Sequence, residues 1–359
     1  MSAAVPKTRS DGIPVLAVPW RITFDTNPDD CNLSCIMCEE HSDFSEKKHL
    51  RVLNHRPHRR MNIDVLRSVV AEMAPWGLRE IIPSTMGEPL LYQYFDEILD
   101  ICREHKVYLN LTTNGTWPRL GVEEWAVRLC PLTSDVKVSW NGTTSEVQES
   151  VMGGSPIEKR IEDLRTFLRL RDGTAMHLGH RCRVTLQCTF MESNLSELPS
   201  MIEMAAGLGV DRVKGHQLWV HFPEMAEQDL RRSRDSRERW NEILRACQEA
   251  ANSHRRPDGR AIILDNFLPL PVDVETAVPS DWVCPFLGRE AWVNHAGRFD
   301  PCCAPDLERQ TLGSFGKVSV SGGLREIWEG PQYATLLEDH STRPVCRKCN
   351  MRRPREQVT

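Results

Sequence analysis

No run of about 18 apolar residues occurs in the sequence, so no membrane-spanning helix is expected. The opening stretch MSAAVPKTRSDG lacks the apolar core of a secretory signal, and a cytoplasmic location is the expectation. A basic excess is lacking too. Lys and Arg number 45 against 50 Asp and Glu, a net charge of −5 that does not favour nucleic acid as a partner. Internal repeats and low-complexity segments are absent. Cysteine is not scarce: there are 13, an odd number, in 359 residues. A secreted disulfide scaffold would be shorter and would pair its cysteines evenly. In a reducing compartment, clustered cysteines bind metal or do redox chemistry. Three lie close together near the N-terminus (Cys31, Cys35, Cys38). Five fall in the last quarter (Cys284, Cys302, Cys303, Cys346, Cys349), and the rest are scattered.

The first two-thirds of the chain alternates β-like runs with amphipathic helical patterns. Strands are expected at Arg21–Asp25, Arg79–Ser84, Val107–Thr113, Asp135–Ser139, Arg183–Thr189 and Arg212–His216. One helix follows Asn62 as N-cap and places Val65, Leu66, Val69, Val70 and Met73 on one face. Others carry Phe95, Ile98, Leu99 and Cys102; Ile157, Ile161, Leu164 and Leu168; and Leu198, Ile202 and Ala205, the last ending at Gly209. Six β-then-α units imply an α/β fold with a parallel sheet. Six are too few for a closed eight-stranded barrel, so a partial, open (β/α)6 barrel is expected, with its site at the C-terminal strand ends. We assign 20–225 to the barrel, 226–275 to a helical and Pro-rich connector, and 276–359 to a small loop-rich metal-stapled domain.

The segment RITFDTNPDDCNLSCIMC sets C-x3-C-x2-C in the loop after the first strand. Three thiolates fill three iron corners of a [4Fe–4S] cubane and leave the fourth open. Incidental buried cysteines do not suit so polar a loop. A zinc site is the better rival, with His41 as its fourth ligand.

From Trp20 to Phe222 the sequence resembles the radical S-adenosylmethionine (SAM) superfamily. The resemblance implies that SAM chelates the open iron and is cleaved reductively to a 5′-deoxyadenosyl radical. It also implies roles for other motifs. MGEPLL resembles the family's GGEP, with Gly87 for close backbone approach and Glu88 as acceptor for the SAM ammonium; Met86 replaces the first glycine. VSWNG resembles the ribose-binding segment, offering Ser139 and Asn141, and TTNG (112–115) resembles the third strand ending. Met37 stands where many members place an aromatic residue beside the adenine. Met152 stands where relatives often have arginine, which makes Arg183 the candidate for the SAM carboxylate.

Cys284, Cys302, Cys346 and Cys349 suit a fully ligated site, zinc being the plain alternative. They resemble the twitch domain, the short relative of SPASM domains. That resemblance implies one auxiliary [4Fe–4S] cluster. Cys303 is left over as bystander, alternative ligand or hydrogen-atom donor.

Strand alternation points Arg183, Thr185, Gln187 and Thr189 to one face and Val184, Leu186 and Cys188 to the other. Cys188, Cys102 and Cys247 are thus structural. The inward polar faces elsewhere offer Thr23 and Asp25, Asn110 and Thr112, Lys137 and Ser139, and Lys214 and His216. Such a lumen suits a hydroxyl-rich or carboxylate-bearing small molecule. About twenty residues precede the first strand, too few for the leader-binding domain of many peptide-modifying relatives. The stretch KKHLRVLNHRPHRR (47–60) is read as a solvated loop, with docking of a flavodoxin- or ferredoxin-type electron donor as its functional alternative; Arg59 or Arg60 could also cover the site. The favoured expectation is hydrogen abstraction from a sugar-like carbon followed by decarboxylation of a uronic-acid nucleoside, of the cytosylglucuronate type. Lys214, His216 or Arg183 would hold the carboxylate. The alternatives are an aminocyclitol dehydrogenase, an aminoglycoside epimerase with Cys303 returning hydrogen, a peptide-modifying enzyme, and a zinc protein without catalysis.

Overall fold

The structure is a computed structural model and describes residues 8–84, 86–273 and 278–358. The expected domain boundary at 275/276 lies outside the described residues.

Among the described residues eleven strands are formed: β1 Arg21–Phe24, β2 Ser34–Cys35, β3 Glu80–Ile82, β4 Tyr108–Thr113, β5 Thr133–Ser139, β6 Met152–Gly153, β7 Arg183–Phe190, β8 Arg212–Gln217, β9 Ile263–Asp265, β10 Glu290–Val293 and β11 Phe299–Asp300. The helices that matter here are α1 Glu46–Leu53, α2 Ile63–Met73, α3 Phe95–His105, α4 Gly121–Leu129, α5 Ser145–Val151, α6 Ile157–Leu178, α7 Leu198–Leu208, α8 Arg234–Ser253, α9 Asp306–Gln310, α10 Leu324–Glu329 and α11 Pro331–Asp339.

The main sheet has nine strands in the order β11-β10-β1-β3-β4-β5-β7-β8-β9. The six strands expected from sequence lie side by side and parallel at its centre. Their outward residues, among them Ile81, Leu109, Leu111, Val136, Val184 and Leu186, are wholly buried, in one core with Leu66, Val69, Trp125 and Phe167 of the helices. Each such side chain contributes roughly 1.5–3 kcal/mol. Asn62 caps α2 by accepting from the Asp64 N–H, and Gly209 closes α7 in a left-handed conformation. Cys102, Cys130, Cys182, Cys188 and Cys247 are all buried in this core.

Two parallel strands were not foreseen. β9, inside the supposed connector, pairs with β8, and β10 of the C-terminal region pairs with β1. They span three and four residues, too short to show a period. The C-terminal region is also tied to the chain's start. The Leu16 N–H donates to Gly288 O, Trp20 N–H to Arg289 O, and Trp328 Nε1 to Leu16 O. Among the described residues, no helix is long and apolar enough to cross a membrane.

Candidate active site

The loop after β1 is stitched to the loop after β3. Thr26 donates to Pro83 O (2.5 Å), Asn27 Nδ2 to Glu88 O (2.9 Å) and the Glu88 N–H to Asp30 O (2.7 Å). Gly87 makes this fit possible. Its φ is +77°, and a Cβ there would lie 2.2 Å from Asn27 O and 2.8 Å from Asp30 O. The close backbone approach expected of Gly87 is thus to the cysteine loop itself.

Glu88 is buried. Its carboxylate accepts from Thr113 Oγ1 (2.8 Å), the Asn114 N–H (2.6 Å) and the Leu90 N–H (3.2 Å). Burial pushes the carboxyl up to about 7, opposed by those hydrogen bonds and by Arg160. Asn114 turns its Nδ2 toward Asn32 Oδ1 (2.8 Å) and Cys31 Sγ (3.9 Å), so TTNG also meets the cysteine loop. Cys35 pairs with Met152 across the β2–β6 ladder. Met37 packs with Cys31, Cys35, Leu33, Met152 and Met191 in a separate apolar cluster. Asn141 is buried and accepts the Thr189 N–H through Oδ1 (2.9 Å), bracing the ends of β5 and β7.

Arg160 was missed by the sequence reading. It lies in the first turns of α6, 3 % exposed, and donates to Asn114 O and Ser139 O. Its guanidinium stands 4.8 Å from the Trp140 ring centroid. Burial lowers its pKa to about 10, against the charges of Cys35 and Glu88. The available signal was a charged residue on the apolar face of α6, one position before Ile161.

Arg183 is not brought to this site, which corrects its expected role at the SAM carboxylate. It is exposed at the N-terminal end of β7, about 20 Å from the opposite strand end. There it lines a cavity of about 470 Å³ with Arg212, Asp265 and Gln357. Arg160, by contrast, lies at the cysteine-loop end, on Asn114 O and Ser139 O.

The basic stretch closes on the acidic residues that flank the cysteines. Arg51 and Arg59 bind Asp29 (both 2.6 Å), Arg59 binds Glu40 (2.7 Å), Arg60 binds Asp30 (2.8 Å) and Lys47 binds Glu39 (2.6 Å). Arg59 and Arg60 thus lie against the cysteine loop, and all four of these cations are paired with carboxylates.

The inner face of the sheet is polar, as alternation implies. Arg21 binds Glu290 (2.6 Å) and Glu80 (3.5 Å); Arg212 binds Asp135 and Asp265. Lys214 reaches Asp265 at 3.6 Å, and His216 Nε2 lies 3.3 Å from Thr189 Oγ1. Burial and then Lys214 push His216 down to about 4, so it is neutral at pH 7 and supplies no cation to a carboxylate.

A second site forms in the C-terminal region. A cavity of about 170 Å³ is lined by Cys284, Cys302, Cys303, Cys346 and Cys349 among apolar walls such as Phe286, Leu287 and Leu312. Cys303 is thus beside the other four, and burial pushes its thiol up to about 12.

The donor sets fit iron–sulfur clusters. These eight cysteines are half-buried and unpaired, while the other five are buried in the core. Backbone N–H groups of Leu33, Glu40 and His41 serve the sulfurs of Cys31 and Cys38; those of Ala304 and Met351 serve Cys302 and Cys349. Among the described residues, no three His, Cys, Asp or Glu are arranged to hold a single metal ion. His41, the expected fourth zinc ligand, instead holds Pro28 O with Nε2 (2.8 Å).

Residues 28–181 match the model of the Radical SAM superfamily, and residues 284–350, which include all five C-terminal thiols, match that of SPASM, an iron–sulfur cluster-binding domain. Among solved structures, Streptococcus suis SuiB bound to S-adenosylmethionine is similar over 94% of this chain and 73% of that chain, with 14% identity and a TM-score of 0.61. SuiB bound to precursor peptide SuiA is similar over 90% and 67%, with 13% identity and a TM-score of 0.62. Native anSMEcpe with bound AdoMet is similar over 92% and 86%, with 16% identity and a TM-score of 0.62. At these identities the likeness is one of fold. No curated protein matches the sequence.

Proposed function

The chain carries a radical SAM domain followed by a SPASM domain, and from that premise we propose that it abstracts hydrogen from a sugar-like carbon of a small polar substrate. In this reading Cys31, Cys35 and Cys38 hold the SAM-binding [4Fe–4S] cluster. Cys284, Cys302, Cys346 and Cys349 hold an auxiliary one, with Cys303 beside it. Residues 20–225 form the catalytic barrel, 226–275 the connector and 276–359 the auxiliary-cluster domain. When bound, cluster and SAM supply the 5′-deoxyadenosyl radical that takes the hydrogen.

The chain's own residues orient and enclose. Glu88 and Gly87 fix the loop after β3 against the cysteine loop, next to where the SAM amino group would lie. Arg160 is proposed for the SAM carboxylate, Ser139 and Asn141 for the ribose, and Met37 for the adenine. The observation that carries the substrate class is the inner face of the sheet. It is polar from Arg21 on β1 to His216 on β8, which favours a hydroxyl-rich molecule over an apolar one.

The reaction we favour is decarboxylation of a uronic-acid nucleoside: a hydrogen atom is taken, CO2 leaves, and the remaining substrate radical gains an electron from the donor protein and protons from solvent, so that a C–C bond is exchanged for a C–H bond. Dehydrogenation or epimerisation of an aminocyclitol is the neighbouring alternative. A modified peptide is the second reading, favoured by the shared fold with SuiB bound to precursor peptide SuiA. A flavodoxin- or ferredoxin-type protein would supply electrons.

The test is to incubate anaerobically reconstituted, reduced protein with uronic-acid nucleosides, aminocyclitols and short peptides. The assay follows 5′-deoxyadenosine and product mass. Loss of CO2 from a uronic acid is expected. Loss of two hydrogens, or unchanged mass with inverted configuration, would move the assignment to the dehydrogenase or epimerase. Turnover of peptides alone would sink the small-molecule reading.

A further inference from the structure

We propose that Lys137 is the anchor for a carboxylate of the substrate, set into the inner face of the sheet one step below the strand end. This rests on the radical SAM reading above and deepens it.

Four cations, Arg21, Arg212, Lys214 and Arg353, meet four carboxylates, Glu80, Glu290, Asp135 and Asp265. None of these ion pairs includes Lys137. Lys137 lies on β5 between Asp135 and Ser139, facing inward with both. It is 6 % exposed, yet among the described residues it has neither a hydrogen bond nor an ion pair. An uncompensated ammonium in such surroundings is costly, and folded proteins rarely retain one without a partner. On the neighbouring strand Asn110 Oδ1 is buried without a donor. A cation lacking an anion and an acceptor lacking a donor, on adjacent strands, together describe a ligand that carries a carboxylate and hydroxyls.

The position suits the chemistry. Ser139, two residues on and about 7 Å along the strand, is tied by its carbonyl to Arg160, which also holds Asn114 O at the cysteine-loop end. A carboxylate on Lys137 would leave the rest of a small molecule pointing toward that end. Burial, and then Lys214, lower Lys137 to about 7; Asp135 opposes, and Arg21 and Arg212 add to the fall. The strands beside it offer Thr112 of β4 and Thr185 of β7, and one strand beyond β7 lie Lys214 and the neutral His216 of β8. An arriving anion stabilises the ammonium, so binding draws in a proton near neutral pH.

The experiment is isothermal titration calorimetry of the reconstituted protein with SAM present, using D-glucuronate and its neutral analogue D-glucuronamide. Titrations are run at pH 7.5 in buffers of different ionisation enthalpy. Wild type is expected to bind glucuronate at least tenfold more tightly than the amide, with net proton uptake. Lys137→Met is expected to lose that preference and the uptake while binding the amide as before. Equal affinity of the two sugars for wild type, no measurable glucuronate binding, or an unaltered preference in Lys137→Met would overturn the proposal. The wild-type comparison stands even if the variant fails to fold. Failure of the underlying reading is separate: wild type that makes no 5′-deoxyadenosine refutes radical chemistry, whatever the calorimeter shows.

Discussion

Gly87 is a position where a single methyl group decides the geometry of the site. A side chain there must accept a left-handed φ of +77° and must push apart the carbonyls of Asn27 and Asp30, which are backbone atoms with nowhere to go. Strain of this kind costs about 1–3 kcal/mol. Gly87→Ala is expected to lower the urea midpoint accordingly and to deplete iron at the N-terminal site selectively; unchanged iron at both sites would contradict the stitching of the two loops. Asp29 works by charge. Burial alone would raise its carboxyl, but the hydrogen bonds of Arg59 and the charges of Arg59 and Arg51 hold it at about 2. Its unfolded value is near 3.9. The carboxylate therefore contributes about 2 kcal/mol above pH 4, and that contribution is lost as pH falls through 2. In cluster-free protein the stability gap between wild type and Asp29→Asn should be constant from pH 5 to 8 and close below pH 4. A gap that widens on acidification would assign the brace to another group.

At the level of elements, the sequence was legible where a pattern repeats. Strands β4, β5, β7 and β8 and helices α2, α3, α6 and α7 lie where periodicity placed them, because each has an apolar face long enough to register. β9 and β10 were invisible because Ile-Leu-Asp and Glu-Ala-Trp-Val carry no period; the neighbours they pair with hold them. The C-x3-C-x2-C loop was legible from spacing alone. Arg160 was not, since an arginine in a helix reads as solvated until its packing is known, whereas the place of Arg183 at the start of its strand, away from the C-terminal strand ends, was already legible. One contact between elements belongs to the same class of hidden features. Glu72, at the end of α2, accepts the N–H groups of Gly323 and Leu324 (both 3.0 Å) and Arg325 (3.2 Å), capping α10 from outside its own chain segment. A carboxylate at a helix N-terminus is favourable both by hydrogen bonding and by the helix dipole. Glu72→Ala should cost about 1–2 kcal/mol by analogy with capping losses, seen as faster hydrogen exchange across α10. Protection equal to wild type would show that the cap is idle.

For the whole molecule, the decisive property is that the two thiol groups belong to one interlaced body. β10 extends the barrel sheet beside β1. The segment before β1, read from sequence mainly as short, runs across the C-terminal region instead. Arg9 is 3 % exposed and donates to Cys284 O (2.8 Å) and Leu287 O (2.7 Å), while its other edge binds Asp11, which in turn meets His340. Ile13 packs with Val283 and Val358. Removing the Arg9 side chain leaves two carbonyls in the wall of the cysteine cavity without their donor, a loss of about 1–3 kcal/mol. Two four-iron clusters predict about eight iron atoms per chain. Cys346→Ala, which deletes a proposed ligand, should hold about four, all at the N-terminal site. Arg9→Ala deletes none, yet it should drift from about eight toward four on mild warming, because the wall that carries Cys284 loosens first. Iron assay with electron paramagnetic resonance of the reduced protein separates the two populations. If Arg9→Ala keeps its full iron complement at every temperature where wild type does, the N-terminal segment only lies on the C-terminal domain and does not shape it.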